Sequence, residues 1–212
     1  MLMMITTGIA AAATGTVPAP VTEPGTEATT SGARAESEVM LRVARHAMAG
    51  DKVKIGGRVR PGGPRWVTIA VGGTKVKTVR TSKDGSFGVR WDAPGSGIYA
   101  ATATARGTDR AKRARSRAQQ VNVYRPAEAS YYGPGLYGNG TACGQTLTPA
   151  TVGVAHKTLP CGTKVTLRHR ARTVTVRVID RGPYAGNREY DLTAAVRAKL
   201  GFGTTGTVLT TR

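Results

Sequence analysis

The sequence predicts an all-β chain in two parts, a β-sandwich followed by a small β-barrel that carries one short helix. Three observations predict it. Apolar and polar residues alternate with period two along most of the chain, the mark of half-buried strands. The chain's 28 glycines and 11 prolines punctuate those runs at short intervals. Helical spacing is clear in one stretch, Leu192 to Leu200, where Leu192, Val196 and Leu200 recur at i,i+4.

Taken in order, residues 1–19 read as a signal peptide, with an apolar run from Leu2 to Ala13 and Val17-Pro18-Ala19 as a cleavage site. The other reading is an unstructured tail, because no basic residues precede the run. Residues 20–37, rich in Pro, Thr, Glu and Gly, read as a disordered linker. Residues 38–125 hold the segments VMLRVA, DKVKIGGRV, RWVTIAV, KVKTVRT, GSFGVRW, IYAATATA and QQVNVY, separated by glycine-bearing turns. Short strands at this spacing predict an immunoglobulin-like β-sandwich. Trp66, Trp91, Phe87, Ile69 and Ile98 are its candidate core, since aromatic and β-branched side chains pack well between sheets. The turn Lys83-Asp84-Gly85-Ser86-Phe87 resembles a turn of bacterial immunoglobulin-like and carboxypeptidase regulatory-like modules.

Charge bounds the partners. With 31 basic against 12 acidic residues the formal charge is +19. The densest run, Arg106 to Arg117, is expected as a basic loop or edge. It either binds anionic wall polymers or is simply a solvated face. No nucleic acid is expected, because the run lacks an aromatic platform, a helix-turn-helix or a zinc finger. The glycine-rich GPGLYGNG and GFGTTG lack a P-loop lysine, which excludes nucleotide binding, and no cofactor is expected. Metal is not expected either: the three histidines are scattered, with His46 and His169 assigned to the surface. Cys143 and Cys161 form no CxxC pair and read as one disulfide or two buried thiols. No stretch approaches the roughly 20 apolar residues of a membrane span, and a monomer is expected.

Residues 126–212 form the second part. Its candidate strands are Ala129–Tyr132, Thr151–Ala155, Lys164–His169, Thr173–Val178 and Gly206–Thr210. Asp191 and Thr193 stand where a short oxygen-bearing side chain caps the Leu192–Leu200 helix, and Gly201 ends it.

These residues resemble a known family. The blocks Ala129-Ser130-Tyr131-Tyr132-Gly133, Gly140-Thr141-Ala142-Cys143-Gly144, Ala155-His156-Lys157-Thr158-Leu159-Pro160-Cys161-Gly162-Thr163, Val178-Ile179-Asp180-Arg181-Gly182-Pro183-Tyr184 and Asp191-Leu192-Thr193 occur in order. They resemble RlpA-like double-psi β-barrel proteins, relatives of expansins, barwin-type proteins and MltA-class lytic transglycosylases. The resemblance implies a six-stranded double-psi barrel with a polar cleft. It further implies a secreted, cell wall-associated protein that acts on peptidoglycan glycan strands as a lytic transglycosylase, leaving 1,6-anhydro-muramic ends. The family's required histidine and aspartate fall on His156 and Asp180, and the expansin aspartate falls on Asp191. Tyr132 stands where the family has Trp. Cys143 and Cys161 replace other residues in two turns, and as a pair they imply a disulfide in the cleft wall.

The chemistry makes Asp180 the expected acid and His156 its companion. A transglycosylase needs only one acid/base group, because the muramic 6-hydroxyl replaces water as the nucleophile. Asp191 has two readings, helix cap or acid. Tyr131, Tyr132, Tyr184 and Tyr190 are expected to stack on sugar rings. Thr141 is expected to contact substrate, and Lys157 and Arg181 to pair with the muramic carboxylate. The alternative is an expansin-like protein that binds glycan in the same cleft without cutting it.

Overall fold

The computed structural model describes residues 33–212. The segment expected as a signal peptide and most of the expected linker lie outside the described residues. The final residues of that linker are paired: Ala35 bridges Ala111, and Ser37 accepts a hydrogen bond from Arg65.

The strands are β1 (Glu38–Val43), β2 (His46–Met48), β3 (Lys52–Arg60), β4 (Trp66–Val71), β5 (Thr74–Arg80), β6 (Ser86–Asp92), β7 (Gly97–Ala105), β8 (Ala114–Arg115) and β9 (Gln119–Tyr132). They continue with β10 (Val154–His156), β11 (Lys164–His169), β12 (Arg172–Asp180), β13 (Tyr190–Thr193) and β14 (Thr205–Thr210), with helix α1 (Ala194–Leu200) between the last two. The architecture is all-β.

In the N-terminal part, a sheet of order β1-β3-β6 faces one that runs β9-β7-β4-β5. Val39, Leu41, Ile55, Val59 and Phe87 from the first share one core with Val67, Ile69, Ala101, Ala103, Val121 and Val123 from the second. Phe87 and Ile69 are buried as expected, and Trp91 packs partly against this core. Trp66 and Ile98 are not core residues; they are 49% and 53% exposed. Alternation explains both. Val67, Ile69 and Val71 point inward, so Trp66 points out. Ala101, Ala103 and Ala105 point inward, so Ile98 does not. The run Arg106–Arg117 is partly a loop and partly the short edge strand β8, which pairs with β7.

In the C-terminal part, β9, β14, β11, β12, β10 and β13 pair in turn, and β13 returns to β9, so six strands close into a barrel. The β10–β12 and β9–β13 pairings are parallel and the other four antiparallel. Closure removes free strand edges. The interior holds Ala129, Val154, Val165, Leu167, Val178, Tyr190, Leu192 and Val208, with Val196 and Leu200 of α1 packed against it. α1 is shorter than expected: Leu192 and Thr193 belong to β13. Its N-cap is Thr193, whose Oγ1 accepts from the Val196 amide; Gly201 closes it at φ 59°.

The two parts share a strand. Residues 119–124 of β9 pair with β7 and β2, and residues 125–132 pair with β14 and β13. At the junction, Tyr124 is buried and its hydroxyl bonds His46 Nδ1 at 3.0 Å and Asn122 Nδ2 at 3.3 Å. His46 is therefore half-buried, not a surface residue; burial, then Arg168 and Arg45, hold its pKa below the ordinary value.

Candidate active site on the barrel wall

Strand register places the site. On three neighbouring strands, Asp180 (β12) pairs with Ala155 (β10), and Ala155 pairs with Asp191 (β13). Thr193 in turn pairs with Tyr132 (β9), and Asp191 with Ser130. Paired residues project to the same side of a sheet, so Asp180, Asp191, Ser130 and Tyr132 share the outer face of the wall. A register shift between Val154 and Ala155 allows this, because Val178 points inward yet Asp180, two residues on, points out.

Each carboxyl is held differently. Asp180 Oδ1 accepts the amides of Ala142 at 2.9 Å and Arg181 at 2.8 Å. Asp191 Oδ1 accepts the Ser130 hydroxyl at 2.8 Å. Burial raises the Asp191 pKa and the Asp180 charge adds to the rise, against the Ser130 bond and Arg188. The hydroxyl of Tyr132 is buried without a hydrogen-bond partner among the described residues. Burial, then the charges of Asp180 and Asp191, push its pKa well above the usual phenol range. The phenol thus lies beside both carboxyls, closed off from solvent, and its interaction with the Asp180 carboxylate adds to the shift.

His156 does not stand with them. Next to Ala155, it points to the opposite side and is buried, its ring 5.1 Å from that of Tyr190. Its Nδ1 accepts the amides of Thr158 at 3.1 Å and Leu159 at 3.0 Å, which leaves the proton on Nε2. Nε2 lies 3.6 Å from Glu189, which Arg125 grips through two bonds of 2.6 and 2.8 Å. Burial lowers the His156 pKa, with Arg125 and Arg181 adding to the effect and Glu189 opposing it. The expected companion of Asp180 is thus a buried histidine that fixes a turn.

The turn reaches Asp180 by another route. Arg181 donates to the carbonyls of His156 at 3.3 Å and Leu159 at 2.9 Å and touches Cys161 Sγ at 3.4 Å. Cys161 forms the disulfide with Cys143. Cys143 N bonds the Ile179 carbonyl, and the amide of Ala142 holds Asp180. Two turns are therefore clamped around the end of β12.

The remaining expected contacts divide. Tyr184 is 81% exposed beside Asp180 in sequence, and Lys157 is exposed. Tyr131 is half-buried with the Arg197 guanidinium 4.3 Å over its ring. Three expected substrate contacts require correction. Tyr190 is 0% exposed and its hydroxyl bonds Thr210 at 3.0 Å, so it is core. Thr141 is buried and its Oγ1 accepts the Gln145 amide. Arg181 is committed to the turn. The helix-cap reading of Asp191 also falls, because Thr193 performs that role. Sequence reasoning missed Ser130 and Glu189; the period-two pairing of Ser130 with the Asp191 strand was its only signal. Among the described residues no cluster of three or more His, Cys, Asp or Glu side chains is arranged to hold a metal.

The comparisons agree with this barrel. The family described as "Lytic transglycolase" matches residues 127–210. Residues 127–210 are therefore similar to that family over the barrel alone. The chain is similar to the probable endolytic peptidoglycan transglycosylase RlpA of Synechocystis, 42% identical over 80 residues, 37% of this chain and 25% of that protein. It is similar to the endolytic peptidoglycan transglycosylase RlpA of Campylobacter jejuni, 44% identical over 81 residues, covering 37% and 30%. The RlpA protein of Neisseria meningitidis is 38% identical over 98 residues, covering 45% and 41%. The chain thus spans about a quarter to two-fifths of the length of these relatives. The disulfide Cys143–Cys161 of this barrel pins the two turns beside Asp180.

Proposed function

We propose that this chain is an exported, cell wall-associated protein whose barrel cleaves peptidoglycan glycan strands as a lytic transglycosylase, leaving 1,6-anhydro-muramic ends. One observation carries the reading: two carboxyls share one face of the wall, and one of them has a raised pKa. Titratable groups perturbed in this way mark functional sites.

Asp191 is the acid in this reading, in place of the Asp180 that the sequence favoured. Its proton passes to the glycosidic oxygen as the bond to C1 of the muramic sugar breaks. The 6-hydroxyl of that sugar bonds to C1, and its proton returns to Asp191, so no water is consumed. Asp180, oriented by two amides, opposes the positive charge that develops at C1. Tyr132 backs the two carboxyls from beneath, and Tyr184 offers a ring to a sugar face. His156 acts as a positioning residue, through the turn, Arg181 and the disulfide. The N-terminal part is proposed as an immunoglobulin-like sandwich, with domain limits at 38–125 and 126–212.

A second reading, glycan binding without cleavage, gains from the inward turn of His156. Mass spectrometry of purified peptidoglycan after incubation separates the two. Anhydro-muramoyl products that vanish in Asp191→Asn are expected; retention on glycan with no product would leave the binder.

A further inference from the structure

The three-stranded sheet carries a feature the barrel chemistry does not use. Its outward residues form rows across the strands: Met40, Arg58 and Ser86 in one, Arg42, Gly56 and Gly88 in the next, then Lys54 and Arg90. The middle row has bare backbone on two strands out of three. A cavity of about 700 Å³ opens at the Arg42–Gly56 end of these rows, lined by Met40, Arg42, Val43, Lys54, Arg58 and Phe87 among others; no acidic side chain lines it, and Gly88 and Arg90 lie outside its lining. Arg58 is paired with Asp84 at 2.7 Å. Arg60 lies opposite Glu38 in register. Arg42, Lys54 and Arg90 have no ion-pair partner among the described residues.

The fold does not demand the second glycine. Gly88 is absent from the left-handed glycines, and a Cβ there would meet only the Ile55 carbonyl oxygen at 3.9 Å, an ordinary contact. Glycine in a strand interior weakens the strand and marks places where another chain approaches closely. The flanking rows, at Lys54 and Arg58, are about 13 Å apart along the strand, since each residue rises about 3.3 Å. That leaves a channel for one extended chain between the cationic Lys54–Arg90 row and the row of Arg58, whose charge Asp84 offsets.

We propose that this trough binds a phosphodiester polymer of the cell wall, laid across β3 and β6 over Gly56 and Gly88. Phosphates along the chain meet the unpaired Arg42, Lys54 and Arg90, and the glycines let its backbone sit against the sheet. A nucleic acid shares the phosphodiester chemistry, but no aromatic side chain stands in these rows to stack bases. The choice of a wall polymer rests on the proposed cell-wall function. Binding is measured without turnover, so its failure is separate from failure of the barrel's chemistry.

The test is pull-down of the full chain on purified walls that carry a glycerol-phosphate polymer, and on the same walls stripped of it by hydrofluoric acid. Binding is expected to drop about tenfold on stripped walls, and to weaken with salt as counterions are released. R42S/K54S is expected to lose about tenfold on intact walls. K75S/K77S, which removes the same charge from β5, is expected to stay within twofold. Gly88→Val keeps every charge and suits an outward strand position, yet is expected to weaken binding by filling the floor. Equal loss in the two double variants, no effect of Gly88→Val, or equal binding to stripped walls would overturn the proposal. So would displacement by oligothymidine at equal phosphate concentration, which would assign the trough to nucleic acid.

Discussion

The two faces of the barrel wall at β10 are built from adjacent residues and differ in every respect that matters for chemistry. Inside, His156, Tyr190, Glu189 and Arg125 are buried or half-buried and satisfied, down to the Tyr190 hydroxyl on Thr210. Outside, Asp191 carries a raised pKa and the Tyr132 hydroxyl has no partner. Buried polar groups are almost always bonded. The outer face, with its half-buried carboxyls, is the one the proposed reaction uses, and the inner face holds the wall in shape.

The largest expected effect breaks the outer face alone. Asp191→Asn should cut the rate of anhydro-product formation by about 10²–10⁴-fold, the usual contribution of a general acid. Asn can still accept the Ser130 hydroxyl, and it removes a carboxyl whose charge burial disfavours. The melting temperature should hold or rise. A falling one, by calorimetry, would make Asp191 structural.

His156→Ala is the matching cut on the inner face. It strips the acceptor from two amides, and an unsatisfied buried donor costs about 1–3 kcal/mol. Denaturant unfolding should show a loss of about 2–4 kcal/mol. Product formation should fall because Asp180 is misplaced, with the alkaline limb of the pH profile unmoved. A shifted limb at unchanged stability would return His156 to the proton path.

Opening the disulfide by Cys143→Ser with Cys161→Ser should cost about 3 kcal/mol, given the separation of 18 residues. Tyr132→Phe should leave stability unchanged or slightly higher, because it deletes a hydroxyl without a partner.

The smallest effect concerns pH. His156 and His46 both have folded pKa values below the ordinary 6.5. The unfolded chain therefore binds protons first as pH falls, and stability drops from pH 6.5 downward through the folded values. Thermal melts between pH 7 and pH 5 should show this, and His46→Gln should remove the part that belongs to the module junction.

Much of this was legible in the sequence. Period-two alternation located nearly every long strand, and the motif blocks located the barrel, both aspartates and the paired cysteines. What failed did so for physical reasons. Leu192, Val196 and Leu200 fit a helix, yet Asp191–Thr193 form β13 because pairing with β9 and β10 on both sides outweighs local spacing. The second part was expected to begin at residue 126, and Pro126 removes a strand donor. It lies inside β9 opposite Leu209. The facing of His156 was hidden because alternation assigns sides only once register is known. The trough was hidden because its residues are scattered over three strands and meet only across the sheet.

β9 also sets a phase. It runs as one unbroken strand from Gln119 in one part to Tyr132 in the other. Deleting one residue between Tyr124 and Ala127 would turn one part over relative to the other, exchanging Ser130 for Ala129 on the outer wall. The bearing of the carboxyl pair relative to the cationic trough is thus counted out in residues along a single strand, and parity fixes the direction in which the protein can work.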